Sequence, residues 1–207
     1  MKRRIDLNTW NRKEHFEFFK KFDDPLFGMT VNVAFTSTYK SAKKKGQSFF
    51  LYSLHRIMQA VNSTEEFKYR IENNDVVCYD VIHPTSTIGR EDGTFGFSFI
   101  EYNPDRDIFI DKATKVIDNI KNMSGITLTQ QTDSINVIHY SPMPWMRFTD
   151  LKHPAMFDNS FSIPKISTGR LFDENGELML PISITVNHAL MDGYHIAQFL
   201  ERLNELE

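Results

Sequence analysis

His188, Asp192 and Gly193 form the pattern His-x-x-x-Asp-Gly near the end of a 207-residue chain. Residues 178–186 before it alternate between aliphatic and smaller or polar side chains, which is typical of a half-buried strand. Residues after Gly193 have helical spacing, and Asp192 is a suitable N-cap. We therefore expect His188 in a turn between two rigid elements, where a neutral imidazole can act as a general base.

The same residues allow other interpretations. His188 alone is compatible with a structural role, and Asp192 with a role limited to capping the helix. His188, Asp192 and His195 are spaced i, i+4 and i+7, which would form a metal site on one continuous helix. The strand pattern up to His188 and the glycine at position 193 argue against such a helix.

Elements that would position these residues follow from hydrophobic spacing. Helices are predicted at 10–22, where Asn8 or Thr9 would be the cap, at 48–61, at 104–123 and after Gly193. In the third helix, Ile108, Ala113, Ile117 and Ile120 should face the core. Strands are predicted at 29–35, 94–100, 135–140, 161–170 and 178–186, with hairpin turns at 73–74 and 175–176. Residues 141–145 contain two prolines and should leave regular structure. The chain is predicted to be one α/β domain over residues 1–207, with antiparallel hairpins.

Composition narrows the class of protein. The net charge of −3 provides no basic field for nucleic acid, and the dense basic run at 43–45 is typical of a solvated turn. No stretch approaches the ~20 apolar residues of a membrane span. Cys78 is the single cysteine, so an intramolecular disulfide is impossible and we expect a cytoplasmic protein. The 18 phenylalanines predict an aromatic-rich core, pocket or interface.

Residues 186–195 resemble the active-site signature of the chloramphenicol acetyltransferase family, His-His-x-x-x-Asp-Gly. Segments 10–19, 58–62, 141–145 and 161–164 also resemble that family, in the same order and at similar spacing. The resemblance therefore covers nearly the whole chain. It implies a two-layer α/β fold, in which helices cover a mixed, largely antiparallel sheet, and a homotrimer with active sites at the subunit interfaces.

The resemblance also implies a mechanism. His188 would take the proton from the hydroxyl of chloramphenicol, which attacks the thioester of acetyl-CoA directly. Acetyl-CoA is then a co-substrate, and we expect no tightly bound cofactor and no metal. Ser141 would donate to the tetrahedral oxyanion, although a serine before a proline is also an ordinary turn residue.

Supporting residues are carried over in the same way. Asp192 would pair with Arg12 of the opening helix and hold the active-site loop, while Asn187 and Ser167 lie beside the reaction centre. Arg170 matches a lysine near coenzyme A, or is an ordinary surface arginine. The implied acceptor pocket contains Phe18, Phe19, Phe27, Phe95, His139 and Leu151, whose phenylalanines are equally compatible with core packing.

Several positions depart from the family pattern. Asn187 replaces the first histidine of the family pair, and Phe19 replaces a tyrosine. His139 replaces an asparagine, while Leu151 and His153 stand where phenylalanine and leucine are expected. Acetyl transfer is therefore better supported than chloramphenicol as the acceptor. The alternatives are another small alcohol or amine acceptor, an acyltransferase core of the dihydrolipoamide type, and a binding protein of the same fold without activity.

Overall fold

The computed structural model describes residues 1–154 and 161–206. Its helices are α1 (Lys13–Phe19), α2 (Thr36–Lys44), α3 (Phe49–Ser63), α4 (Arg106–Lys121) and α5 (Gly193–Glu205), and a 3-10 helix spans Glu65–Lys68. Its strands are β1 (Lys2–Arg4), β2 (Leu26–Ala34), β3 (Tyr69–Glu72), β4 (Asp75–Tyr79), β5 (His83–Gly89), β6 (Phe95–Phe99), β7 (Val137–Pro142), β8 (Lys165–Thr168), β9 (Phe172–Glu174) and β10 (Glu177–Asn187).

A seven-stranded sheet organises the described residues. Its order is β2-β10-β8-β7-β5-β6, with β9 paired to β10. The β5–β7 and β7–β8 pairs are parallel, and the other pairs are antiparallel. A second sheet of three strands has the order β1-β4-β3. The prediction of a mixed, largely antiparallel sheet with helices is therefore confirmed.

Strands β7, β8 and β10 each have one apolar and one polar face. Ile138, Ile166 and Ile184 alternate with polar residues and lie in the hydrophobic core with α3. On the opposite side, residues paired in register form two rows that share one face. We call this side the polar face; it comprises His139, Ser141, Lys165, Ser167, Ser183 and Thr185. It positions hydroxyl and basic groups together on a rigid surface.

Helix α3 lies at the centre of the apolar layer and packs against α2, α4 and α5. Most of its residues are buried, including the charged Arg56, which is 3% exposed. The Arg56 guanidinium donates to the carbonyls of Leu203 and Ala34. Since a buried charge is tolerated only when hydrogen-bonded, these contacts allow α3 to be covered on nearly all sides.

Arg70 of β3 links the small sheet to the large one. Its buried guanidinium donates to the carbonyls of Phe67, Tyr69, Ile135 and Val137. Because Val137 begins β7, these bonds connect β3 with a central strand of the large sheet. Complete burial lowers the pKa of this guanidinium to about 9.

Most predicted elements are present, with shifted ends. The hairpin turns at Asn73–Asn74 and Asn175–Gly176 are confirmed by positive φ at all four residues. Helix α1 begins at Lys13 rather than at 10, and the predicted caps at Asn8 or Thr9 are wrong. The predicted inward orientation of Ile108 is also wrong, because its side chain is 47% exposed while Phe109 and Ile110 face the core. The basic run at 43–45 lies at the end of α2 rather than in an isolated turn.

The prediction that residues 141–145 leave regular structure is wrong at its start, because β7 continues through Ser141 and Pro142. The His139 amide donates to the Pro164 carbonyl, just before β8, at 2.9 Å, and the Met143 amide, just after β7, donates to the Thr168 carbonyl of β8 at 2.7 Å. The nitrogen of Pro142 therefore faces the other side, toward β5. Since the β5–β7 pairing ends at Tyr140, no hydrogen bond is lost at the proline.

Candidate active site

The turn that carries His188 is held from both sides. The His188 amide donates to the Pro25 carbonyl at 2.8 Å, directly after β10 ends at Asn187. The Asn187 side chain accepts from the Ala189 amide and donates to the Phe161 carbonyl, both at 2.9 Å. Asn187 is 2% exposed, so at this position the amide serves local structure.

Aromatic rings fix the imidazole of His188. The Phe19 ring stacks on it with centroids 3.9 Å apart and planes 7° from parallel, and the Phe27 ring lies 4.5 Å away. Nδ1 of His188 is buried and has no hydrogen-bond partner among the described residues. Nε2 is therefore the nitrogen available to an incoming hydroxyl. This arrangement suits a base whose direction is set by packing.

Asp192 connects this turn to the start of α1. Arg12 Nη1 donates to Asp192 Oδ2 at 2.7 Å, and the Arg12 side chain is 9% exposed. Asp192 also caps α5, accepting from the Tyr194 amide at 3.0 Å, while the ring of His195 accepts from the Asp192 amide. Burial alone would raise the pKa of the Asp192 carboxyl, but the hydrogen bond from Arg12 and the His195 and Arg12 charges lower it overall. The pair that the resemblance implied is thus present, although Arg12 immediately precedes the helix.

The spacing of His188, Asp192 and His195 does not produce a metal site here. His195 is engaged in the capping box of α5, and the His188 ring is stacked on Phe19. Within residues 1–154 and 161–206, no group of three or more His, Cys, Asp or Glu side chains is placed to hold a metal ion.

A cavity of about 610 Å³ lies against the polar face. Five predicted site residues line it, namely Phe95, His139, Leu151, Ser141 and Ser167. Phe97 of β6 lines the cavity together with Phe95, so this face of the strand is turned toward the cavity rather than the core. The Ser141 hydroxyl has one weak contact in the described structure, 3.4 Å from Thr87 Oγ1, and so remains available to a ligand.

His153 makes hydrogen bonds with two hydroxyl groups of the polar face. Its Nδ1 lies 2.8 Å from Thr185 Oγ1, and its Nε2 lies 2.9 Å from Ser167 Oγ. Burial, followed by the Lys165 charge, lowers the pKa of His153 to about 4. A neutral ring can therefore serve both hydroxyls near neutral pH, and it holds the segment before residue 155 over the strands.

Lys165 is a cavity residue that the sequence analysis missed. Its neighbour Ile166 faces the core, and the alternation His139-Tyr140-Ser141 and Lys165-Ile166-Ser167 repeats the same pattern on adjacent strands. A lysine at the buried position of such a strand was the available signal, because unpaired lysines are rarely buried.

The predicted site residues form two groups in one chain. Ser141 pairs in register with Ser167, and Ser167 with Ser183, while His188 lies five residues beyond Ser183 on β10. Strand geometry then separates the Cα atoms of Ser141 and His188 by roughly 19 Å. The phenylalanines at 18, 19 and 27 do not line the cavity; Phe19 and Phe27 contact His188, and Phe18 is 59% exposed and packs on Phe19.

Arg170 lies outside both groups. It follows β8, is exposed, and its amide donates to the Met146 carbonyl at 2.8 Å. The structure therefore leaves its predicted role toward coenzyme A as a prediction.

The fold is shared with a solved structure of low sequence identity. The chain superposes on a probable dihydrolipoamide acetyltransferase from Listeria monocytogenes with a TM-score of 0.67, covering 93% of this chain and 88% of the other. Since the two share 12% identity, this similarity shows the fold alone.

Residues 2–204 match the sequence model of the family described as chloramphenicol acetyltransferase. Relatives of that name from Clostridium butyricum and, as chloramphenicol acetyltransferase 3, from Escherichia coli are each 30% identical, covering 98% of this chain and 93% and 95% of theirs. A solved chloramphenicol acetyltransferase superposes with a TM-score of 0.94 at 31% identity, covering 100% of this chain and 99% of the other. The chain therefore belongs to the chloramphenicol acetyltransferase family of acyltransferases.

No helix in the described part of the chain is both long and apolar enough to cross a membrane.

Proposed function

We propose that this protein transfers the acetyl group of acetyl-CoA to the hydroxyl of chloramphenicol or a similar small alcohol. The observation that carries the proposal is the His188 imidazole, which is stacked on Phe19 with Nδ1 buried and Nε2 available. Family membership supports acetyl transfer, and the names of the relatives support chloramphenicol as the acceptor.

In the proposed reaction, His188 Nε2 takes the proton as the acceptor oxygen attacks the thioester carbonyl. A carbon–oxygen bond forms, and the carbonyl electrons move to an oxyanion that accepts a hydrogen bond from Ser141. One such donor contributes about 3 kcal/mol to a transition state. The intermediate then expels the thiolate of coenzyme A, which receives the proton from His188. Because the transfer is direct, neither a serine nor a cysteine nucleophile is required.

The active site is proposed to form between two copies of the chain. Ser141 and His188 of one copy are roughly 19 Å apart by strand geometry, which is too far for both to act on one hydroxyl. His188 with Phe18, Phe19 and Phe27 would face the cavity of a neighbouring copy in a homotrimer. The acceptor would then contact Ser141, Ser167, Phe95, His139 and Leu151 of that neighbour, and Arg170 would bind coenzyme A.

We further propose that the chain acts as one acetyltransferase domain in the cytoplasm. The main hydrophobic cluster takes residues from β2 through α5, which favours one folding unit. Cys78 is free, and burial raises the pKa of its thiol, which suits a reducing compartment.

Thiol release from acetyl-CoA, with and without chloramphenicol, tests the proposed function. We expect chloramphenicol-dependent release that falls about 100-fold to 10,000-fold in His188→Ala, since the general base is lost. His15→Ala is the matched control, because His15 is exposed on α1 and should leave the rate unchanged. Wild-type turnover in His188→Ala would refute the role of His188. Absence of thiol release with chloramphenicol and with a panel of small alcohols would refute the function.

A further inference from the structure

The geometry points to an acceptor that carries a carboxylate as well as the reacting hydroxyl. This inference rests on the proposed function, because it takes the cavity on the polar face as the acceptor site. It departs from a purely apolar pocket because basic side chains lie on the floor of the cavity.

Two basic residues lie side by side on that floor. His139 of β7 and Lys165 of β8 are paired in register on the polar face, and both line the cavity. Lys165 is 7% exposed; its ammonium donates to the Pro154 carbonyl and lies 4.5 Å from the Phe161 ring centroid. Among the described residues, no carboxylate lies within 4.0 Å of this ammonium. A buried ammonium without a carboxylate partner attracts an anion strongly.

His139 is the second unsatisfied group. Burial, followed by the charges of Lys165 and Arg70, lowers its pKa to about 4. Its ring has no hydrogen-bond partner in the part of the chain that the structure describes, although it lies 5.9 Å from the Phe161 ring. A carboxylate beside Lys165 would give this imidazole an acceptor and would offset the local positive potential.

The acids around the cavity leave the floor positive. Asp133 lines the cavity but is exposed. Burial lowers the pKa of Lys165, and the field of Asp24 offsets this only in part. Lys152 adds a further positive charge at the exposed rim. The residues described here therefore favour an anion at the His139–Lys165 pair over a neutral group.

Strand geometry sets the size of the acceptor. Ser141 and His139 are two residues apart on one face of β7, which places the hydroxyl and the carboxylate about 7 Å apart. The cavity walls include Phe95, Phe97 and Leu128, which suit an aryl or aliphatic spacer. A hydroxymethyl benzoate with para substitution has these dimensions and serves as the probe.

Calorimetric titration compares para-hydroxymethylbenzoate with para-hydroxymethylbenzamide, which has nearly the same shape without the charge. We expect wild type to bind the carboxylate at least about 10-fold more tightly than the amide, since charge-assisted hydrogen bonds are stronger. Lys165→Met should abolish the difference. Lys115→Met is the matched control: it removes an exposed lysine of α4 that does not line the cavity, and it should keep the preference within about twofold. His139→Asn should reduce the preference, and it replaces Lys165→Met if thermal melting shows that variant to be unfolded.

The outcomes separate this inference from the proposed function. Equal affinity for the two probes, or a preference that survives Lys165→Met, overturns the inference even when chloramphenicol is acetylated. A carboxylate preference that depends on Lys165 supports it even when no thiol is released, in which case the proposed function fails alone.

Discussion

At the scale of single residues, the orientation of His188 depends on ring packing. Its Nδ1 has no hydrogen-bond partner in the described structure, whereas Phe19 stacks on the ring at 3.9 Å. A base must be held in line with the hydroxyl that it deprotonates, and small misplacements reduce rates greatly. The aromatic neighbours therefore orient the ring in place of a hydrogen bond to Nδ1.

Phe19→Ala should release the imidazole while leaving its chemistry intact. We expect kcat to fall by about 10-fold to 100-fold, and Phe19→Tyr to retain activity because the stacked ring is kept. Steady-state kinetics with chloramphenicol measure both variants. Phe22→Leu is the control, since Phe22 is 41% exposed and contacts Phe19 but not His188. Wild-type kcat in Phe19→Ala would contradict this account.

Asp192→Asn tests the contribution of the Arg12 pair to stability. The folded-state pKa of Asp192 is lowered, so its contribution is present above the unfolded value near ~3.9 and is lost as the pH falls through the lower folded value. We expect the free energy of unfolding to drop by about 1 kcal/mol at pH 7, after allowing for partial solvent exposure. The difference between the two proteins should shrink below pH ~4, as urea titrations would show.

Asp111→Asn provides the comparison for that measurement. Asp111 pairs with Lys115 on α4, with both side chains well exposed, so its removal should change stability by less than about 0.5 kcal/mol. A pH-independent loss for Asp192→Asn would show that the carboxylate charge is not involved.

At the scale of elements, the β2–β10 pair holds the turn that carries His188. Gly28 faces Thr185 in this pair, and an added Cβ would lie 2.5 Å from the Ile184 carbonyl oxygen. Phe27, next to Gly28, contacts the His188 ring. The close approach of these strands thus sets the position of the candidate base.

Gly28→Ala should force β2 away from β10. We expect a loss of about 1–3 kcal/mol in the free energy of unfolding, together with lower activity, because the clash is with backbone. Gly89→Ala is the matched strand control, since an added Cβ there meets nothing within 4 Å. Equal stability of the two variants in thermal and urea unfolding would contradict the steric argument.

The sequence predicts some elements far better than others. Strand β10 and helix α5 are clear because long periodic patterns surround Asn175–Gly176 and Asp192–Gly193. Strand β5 was missed because its first residues, His83 to Thr87, are mostly polar and include a proline. Its Thr85 and Thr87 line the cavity, so the hydrophobic alternation that marks a half-buried strand is absent. Helix α2 was missed for a similar reason, being rich in serine, threonine and lysine.

At the scale of the whole molecule, the candidate site is divided. The family resemblance paired Arg12 with Asp192 in the turn that carries His188, and the ion pair between these two side chains is present. Spacing along the chain could not reveal that Lys165 joins His139 on the polar face, since that depends on the parallel register of β7 and β8. Nor does a single chain bring Ser141 to His188, so the proposed site requires a second copy.

Mixed assembly of two inactive variants tests this central claim most directly. His188→Ala and Ser141→Ala chains, each carrying a different affinity tag, are co-expressed and purified through both tags. If each site takes His188 from one copy and Ser141 from its neighbour, every trimer that carries both tags contains both intact residues at one of its sites, about one site in three. We predict that thiol release from acetyl-CoA with chloramphenicol recovers to about a third of the wild-type rate. A mixture as inactive as either variant alone would contradict the shared site.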